Sequence, residues 1–437
     1  MRLVPLILTF SAAAFAQDTL RLSLSRAVDI ALTSEGSARI ALAAQSIDRA
    51  QAQVAQAKAA FLPNIDGGTQ ARSQTTNLRT FGFNFDFPGF TFPNVVGPFT
   101  VVDARAQAKW NVLDFTTLRK YRAAKGGVDS SKADLEVTRT QVSDQVARAY
   151  LTVLRSDAAV EAAQANLELS QGLLDLAQSQ KDAGTGTGIE VTRAQVQLAN
   201  DSGRLIVVRN DRSRASLQLL RAMGLELSLA VQLTDKLIYM PVDTVGIETS
   251  LNEARKSRAE MKAQKQREEV ARLNYSAIEA ERLPSVSTFG DYGAIGQPKI
   301  GLEPTHTVGV NVAIPIFDGG RRRVRRQEST SQILTEEIRT RDLEQQIELE
   351  VRLAIESLRS ADSQVATARD GLALAQNEVE QARRRYQAGV SVPLEITDAQ
   401  TRLDRARDNQ IVALYSYNLA RLDLAAATGH IQEFVHP

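Results

Sequence analysis

A regular spacing of apolar residues runs through the C-terminal part of the chain. The intervals alternate between four and three positions, and large side chains alternate with alanine: Ile347, Val351, Ala354, Leu358, Ala361, Val365, Ala368, Leu372, Ala375, Val379, Ala382 and Tyr386. A mean spacing near 3.5 residues keeps these side chains on one face of an α-helix, as in left-handed coiled coils. The pattern predicts a long helix that packs closely against a partner helix.

The same seam occurs 205 residues earlier, from Val142 to Lys181, where only the final lysine departs from the pattern. Gly184 and Gly224 also precede Gly389 and Gly429 by that offset. The chain therefore contains an internal repeat. It predicts two helical hairpins, with long helices over 116–183 and 321–388 and return helices over 189–223 and 394–428.

The segments 64–113 and 285–317 have a different composition, rich in Gly, Thr and Asn. Each follows a Leu-Pro pair, at Leu62 and at Leu283, which favours a helix end there. The pattern predicts strands over 69–76, 100–113, 285–292 and 305–317. Shorter helices are expected over 22–32, with Ser25 as N-cap, from the late thirties to about 61, and over 250–281.

Between the first two strands stands a cluster of six phenylalanines: Phe81, Phe83, Phe85, Phe87, Phe90 and Phe92. Phenylalanines in a Gly- and Pro-rich loop fit a small local core, an aromatic anchor at a membrane interface, or a plug on the outer side. We interpret the cluster as part of a membrane segment.

The composition and the N-terminal segment limit the cellular compartment and the kinds of partner that this chain can have. The 437 residues carry a net charge of +1 and no cysteine, so neither nucleic-acid binding nor thiol chemistry is expected. Arg2, an apolar run and Ala14-Phe15-Ala16 predict a signal peptide over 1–16 and a mature chain over 17–437. No later stretch has 18 apolar residues, so membrane insertion would require a closed β-barrel rather than a helix.

Three sequence pieces resemble the TolC-type outer-membrane efflux family. The first is Leu22–Leu32, the second is Pro315-Ile316-Phe317-Asp318-Gly319-Gly320, and the third runs from Tyr386 to Gln400. The resemblance implies a mainly α fold with a smaller β part, in which long α-helical hairpins form an α-barrel. Each chain would add four strands to a trimeric 12-stranded transmembrane β-barrel.

The resemblance further implies one interleaved protomer, with repeat 1 over about 22–224, a linker over 225–249 and repeat 2 over about 250–429. Its function would be that of a passive exit duct for efflux or type I secretion. The implied partners are a periplasmic adaptor, an inner-membrane transporter of the RND or ABC type, and outer-membrane lipids. Two alternatives remain: the periplasmic adaptor itself, and a soluble periplasmic coiled-coil scaffold.

The hairpin tips contain the candidate functional residues. Adaptor docking is expected at the tip positions Gly184, Gly186, Gly188, Gly389, Val390 and Pro393. The resemblance assigns the periplasmic entrance and its gating to Tyr386, Glu395 and Asp398. The internal repeat adds Glu190 and Arg193, which stand in the first half where Glu395 and Asp398 stand in the second, and an ion pair between Arg193 and Asp398 is one option. The carboxylates would also suit ordinary helix N-termini, which favour negative charge.

Five arginines lie between Arg321 and Arg326. They could form a solvated helix start or contact phospholipid head groups, whereas a nucleic-acid site does not fit a secreted chain of this net charge. His306, His430 and His436 form no spaced metal set, and no catalytic grouping is found. The sequence predicts neither an enzyme nor a cofactor.

Overall fold

The computed structural model describes residues 20–33, 36–82, 86–87, 90–91, 93–242, 246–388, 390–391 and 393–436. The predicted signal peptide, Gly389 and three phenylalanines of the cluster, Phe83, Phe85 and Phe92, lie outside these residues. Of that cluster, Phe81 ends a short 3-10 helix over Leu78–Phe81 and its side chain is exposed.

The elements follow the predicted repeat. The first half contains β1 (Leu20–Leu22), α1 (Leu24–Leu32), α2 (Ala38–Ala59), β2 (Asn64–Asn77), β3 (Asp86–Phe87), β4 (Phe90–Thr91), β5 (Val95–Leu113), α3 (Phe115–Asp182) and α4 (Gly188–Met223). After β6 (Val231–Leu233), the second half contains α5 (Ile247–Ser257), α6 (Ala259–Ala280), β7 (Ser285–Gln297), β8 (Gly301–Ala313), α7 (Arg321–Gln387), α8 (Pro393–Thr428) and α9 (Ile431–Val435).

The predicted hairpins are confirmed, and so is the apolar seam of α7. The seam positions from Ile347 to Tyr386 are buried or partly buried, and they pack against Leu403, Ala413 and Tyr417 of α8. Small residues in alternate layers let the two backbones approach closely, so each large side chain fills the space beside an alanine. In α3, Lys181 at the end of the seam is exposed, as its charge requires.

Two local predictions were wrong. The segment predicted as one helix over 250–281 is broken at Arg258, which has an extended backbone. The end of α8 approaches the chain at this point, and a Cβ on Gly429 would lie 2.9 Å from the backbone nitrogen of Arg258. The guanidinium group of Arg258 is buried and forms ion pairs with Glu260 and Glu350. At the N-terminus, Ser23 rather than Ser25 caps α1, because Leu20–Leu22 pairs with Val231–Leu233 as a strand.

The main sheet has the strand order β2-β5-β7-β8, with every neighbouring pair antiparallel. The strands are longer than predicted, apart from the last, which ends at Ala313 instead of Phe317. The register places Asn64 opposite Lys109 and Ser285 opposite Ala313. All four helix-strand junctions therefore lie at the same end of the sheet.

The two faces of this sheet differ in polarity. Directly paired residues point to the same face, so the register places Asp66, Asp103, Gln107 and Asp291 on the face of Arg105. Arg105 forms ion pairs of 2.7 Å with Asp103 and 2.8 Å with Asp291. The opposite face contains small and apolar side chains, among them Ile65, Ala104, Ala106, Ala108, Trp110, Tyr292, Val308, Val310 and Val312.

The described residues divide into two compact units. One contains the described residues of 20–45, 133–263 and 340–436, and it holds the buried cores of the hairpins. The other contains 46–132 and 264–339, and it includes the four-stranded sheet. No helix in the described part of the chain is both long enough and apolar enough to cross a membrane.

Candidate functional site at the hairpin tips

The first tip is a tight turn between α3 and α4. Gly184 has a φ of +74°, a conformation that glycine adopts without strain. The carbonyl of Gln180 accepts hydrogen bonds of 2.9 Å from the backbone nitrogens of both Thr185 and Gly186. A Cβ on Gly186 would lie 3.0 Å from the Lys181 nitrogen, whereas one on Gly188 would meet open space. Gly186 therefore shapes the turn, and Gly188 presents a free surface.

The second tip joins α7 to α8. Val390 donates a backbone hydrogen bond of 3.0 Å to the carbonyl of Arg385, and its side chain is 69% exposed. Gly389 and the side chain of Pro393 are not among the described positions. Val390 therefore gives this tip an exposed apolar side chain that another protein could contact.

Glu190 stabilises the start of α4. Its carboxylate accepts a hydrogen bond of 2.8 Å from the backbone nitrogen of Thr187, the residue that caps the helix. A glutamate three residues after a threonine cap satisfies a backbone donor that the helix leaves free. This position therefore has a local role in folding, whatever else it does.

Glu395 and Asp398 lie on the exposed side of α8, while Ile396 and Ala399 point into the core. Glu395 forms an ion pair of 3.2 Å with Arg385, and Asp398 one of 2.6 Å with Arg402. Arg402 also contacts Glu378 at 2.8 Å. Both carboxylates are thus partly neutralised within the chain.

Arg193 does not form the ion pair that the sequence suggested. Its side chain is exposed, and within the described chain Asp398 binds Arg402 instead. The i,i+4 spacing of Asp398 and Arg402 on one helix favours this pairing. A role for Arg193 in gating stays a prediction.

Tyr386 connects the two hairpins. Its ring is buried at the end of α7, and its hydroxyl donates a hydrogen bond to the side-chain oxygen of Gln180 in α3. Burial, and then the charge of Glu190, raise the pKa of Tyr386, so the hydroxyl keeps its proton and remains a donor. Breaking this bond would remove a direct polar link between the hairpins.

The sequence missed three residues that contribute to this arrangement: Gln180, Arg385 and Arg402. The spacing of Arg402 to Asp398 could have revealed one of them. Gln180 carried no comparable signal, because its partner lies 206 positions away in the chain. Together the tips present a neutral turn, an exposed apolar residue and a compensated charged face.

A group of carboxylates lies among the same helices. Asp201 is buried, accepts a hydrogen bond from the Ser170 hydroxyl and is contacted by Gln197 at 3.2 Å. Burial, followed by the negative charge of Asp201, raises the pKa of Asp404 to about 6. These hairpins therefore contain a group that titrates close to neutral pH.

Known proteins share both the sequence pattern and the fold. The pyoverdine export outer membrane protein OpmQ of Pseudomonas putida is 25% identical over 407 residues, which are 92% of this chain and 84% of that protein. The outer membrane protein TolC of Vibrio cholerae is 23% identical, over 90% of this chain and 88% of its own length.

The outer membrane channel CmeC of Campylobacter jejuni has a similar structure. Its TM-score is 0.77 at 17% identity, and the match covers 93% of this chain and 86% of CmeC. The sequence also matches the outer membrane efflux protein family over residues 30–225 and 250–430, on both sides of the linker. This chain therefore belongs to the outer membrane efflux protein family.

Proposed function

We propose that this chain is one protomer of a homotrimeric outer-membrane channel. It would conduct substrates passively from a periplasmic adaptor and an inner-membrane transporter to the outside. The two hairpins would extend into the periplasm, and the four strands would contribute a third of a closed barrel. Family membership supports the location and the general role.

The observation that carries the proposal is the four-stranded sheet. One of its faces is charged and the other is apolar, which suits a strand set with water on one side and lipid on the other. Its outer strands, β2 and β8, are 14 and 13 residues long. Outer strands of that length expose backbone groups that pair readily with another chain. Pairing β8 of one protomer with β2 of the next would complete both edges.

The tips provide the surface proposed for adaptor docking. Gly188 and Val390 lie at the free ends of the two hairpins, in the turns 184–188 and 389–393 that the repeat makes equivalent. A Cβ on Gly188 would meet open space, and Val390 is exposed. Glu395 and Asp398 are exposed on α8 beside the second tip. In a trimer they would place six carboxylates around the periplasmic entrance, with Arg385 and Arg402 reducing the net charge. A ring of this kind attracts cations.

Native mass spectrometry and planar bilayers test the proposal directly. The full chain, purified from the outer-membrane fraction in detergent, should give a trimer and step-like conductance. A monomer found in the soluble periplasmic fraction would contradict the channel and favour the scaffold. A protein that fractionates with the inner membrane would instead favour the adaptor.

Cysteine labelling tests the placement of the sheet, because the chain has no cysteine of its own. Lys299 is exposed in the turn between β7 and β8, at the end of the sheet away from the junctions. Lys299→Cys should react with an impermeant maleimide on intact cells. The control Ala183→Cys, at the first tip, should react only after the outer membrane is permeabilised. The reverse order would refute the proposed orientation.

A further inference from the structure

The two strand-to-helix junctions carry far more positive charge than the rest of the chain. The thirteen residues from position 114 and the thirteen from position 318 together contain nine lysines and arginines but only three carboxylates: Asp114, Asp318 and Glu328. The whole chain has a net charge of only +1. This local excess of positive charge indicates a structural role or a binding role for the junctions.

A structural role accounts for part of this charge. Asp318 accepts hydrogen bonds from the backbone and the side chain of Arg322, and Arg325 forms an ion pair of 2.6 Å with Glu281 in α6. Gly319 and Gly320, both with positive φ, allow the turn that brings Asp318 to the start of α7. Two of the five arginines therefore hold the junction together.

Five other basic residues are exposed, and their charged side-chain groups form no hydrogen bond or ion pair with any residue that the structure describes. We call them the junction collar: Lys120, Arg122, Arg321, Arg323 and Arg326. They lie in the first turns of α3, which begins two residues after the end of β5, and of α7, which begins eight residues after the end of β8. Because both strands end at the same end of the sheet, the collar lies just beyond that end.

The chain next to the collar is strongly apolar. On β8 the side chains Val308, Val310 and Val312 share the apolar face of the sheet, and Ile314 and Ile316 continue the alternation. Ile316 is 92% exposed and Phe317 is 87% exposed, and three residues separate Phe317 from the first arginine, Arg321. Trp110 lies on the same apolar face near the end of β5, with its indole nitrogen bonded to the Phe61 carbonyl. Apolar and aromatic side chains followed by cations are typical of the boundary between hydrocarbon and head groups.

We propose that the junction collar binds the phosphate groups of anionic phospholipids in the leaflet that meets these junctions. The acyl chains would lie along the apolar face of the sheet, and the head groups would meet the guanidinium groups. Guanidinium groups recognise phosphate through paired, charge-assisted hydrogen bonds. This inference rests on the proposed membrane placement of the sheet and adds a lipid specificity to it.

Lipid binding to the purified full chain in detergent tests the inference. Phosphatidylglycerol and phosphatidylethanolamine would be titrated separately, and bound lipid counted by native mass spectrometry. The test variant combines Arg321→Gln, Arg323→Gln and Arg326→Gln. The matched control combines Arg341→Gln, Arg383→Gln and Arg384→Gln, which removes three exposed arginines of the same helix outside the collar.

Each cation near an anionic surface contributes about 1 kcal/mol to binding. Because the test variant lacks three of them, it should bind phosphatidylglycerol roughly a hundredfold more weakly. The control should bind like the wild type, and phosphatidylethanolamine binding should be the same in all three proteins. Millimolar inorganic phosphate should leave phosphatidylglycerol bound, which separates a lipid site from a phosphate site. Equal binding of phosphatidylglycerol by the test variant and the wild type would refute the inference, as would a wild type that shows no preference between the two lipids.

Conductance separates this inference from the proposed function. A wild-type protein that conducts in bilayers but shows no lipid preference would refute the collar and leave the channel intact. A protein that prefers phosphatidylglycerol but neither conducts nor trimerises would refute the channel instead. Melting temperatures of the variants should match that of the wild type, because the exchanged side chains are exposed.

Discussion

The hydroxyl of Tyr386 donates a hydrogen bond to the side-chain oxygen of Gln180, and so connects the second hairpin to the first. Tyr386 ends the apolar seam of α7, and Gln180 lies in the last turn of α3. One side chain thus belongs to the core of its own hairpin and to the contact between the two hairpins.

Tyr386→Phe should keep the packing and remove this polar link. Loss of one such bond costs about 0.5–1.5 kcal/mol, and we expect a higher single-channel conductance because the hairpins separate more easily at their tips. Tyr417→Phe is the control, since it removes a partly buried hydrogen bond of 2.7 Å to the Met240 carbonyl away from the tips. Wild-type conductance in Tyr386→Phe would contradict the gating role.

Arg402 should set the charge of the proposed entrance. Arg402→Gln frees Asp398 and Glu378 from their ion pairs, so the reversal potential in a salt gradient should shift toward greater cation selectivity. Asp398→Ala combined with Glu395→Ala should shift it the other way and weaken block by multivalent cations. Arg352→Gln, which removes a similar pair of 2.8 Å with Glu348 elsewhere on α7, is the control. Unchanged selectivity in both tip variants would leave these carboxylates a role in helix stabilisation only.

Asp404 should make stability depend on pH. Its pKa in the folded protein, about 6, lies above the ordinary value of 3.8, so folding favours the protonated form. The stabilisation is full below about pH 4 and is lost as the pH rises through 6. Asp404→Asn should therefore raise the free energy of unfolding at pH 7.5 more than at pH 5, by a difference on the order of 1 kcal/mol after allowance for solvent, and melting temperatures at the two pH values should show it.

The other charged groups around Asp404 are Asp201, Asp408, Arg204 and Arg407. Asp408 pairs with Arg204 at 2.5 Å, so Asp408→Asn is a control that should not stabilise the protein at pH 7.5. A gain for Asp404→Asn that is the same at both pH values would contradict the titration of this carboxyl group.

The α7 seam predicts a strong contrast between two leucines of one helix. Leu358 is 2% exposed between α7 and α8, whereas Leu374 is 70% exposed. Leu358→Glu places an unpaired charge in the core and should cost more than about 4 kcal/mol. Circular dichroism melts should show a folded Leu374→Glu chain and an unfolded or strongly destabilised Leu358→Glu chain. Equal melting temperatures would contradict the packing.

Bulky residues at the tips should block adaptor docking. Gly188→Trp combined with Val390→Trp alters positions that face open space, so trimer yield should stay normal while efflux is lost. Gly186→Trp is less suitable, because a side chain there would disturb the turn itself. Gly203→Trp, also in open space but within α4, is the control. Normal efflux in the double tip variant would contradict docking at the tips.

The sequence by itself determined the repeat, the hairpins and the place of the strands. Spacing between Ile347 and Tyr386 specifies which face of α7 is buried, because a helix fixes the direction of each side chain from its position alone. Gly224 and Gly429 marked helix ends for a similarly local reason, since both adopt the left-handed conformation that glycine tolerates.

Only the tertiary structure decided what depends on distant residues. The break at Arg258 arises from the close approach of Gly429, and the partner of Tyr386 lies 206 positions away. Asp398 forms its ion pair with Arg402 and not with Arg193, because Arg402 lies one turn further along the same helix. The five arginines between Arg321 and Arg326 are equivalent in the sequence. In the fold, two of them form ion pairs that stabilise the junction, and the other three are exposed, with side chains that pair with none of the described residues. Such choices depend on which groups meet in space, and no spacing pattern along the chain encodes that.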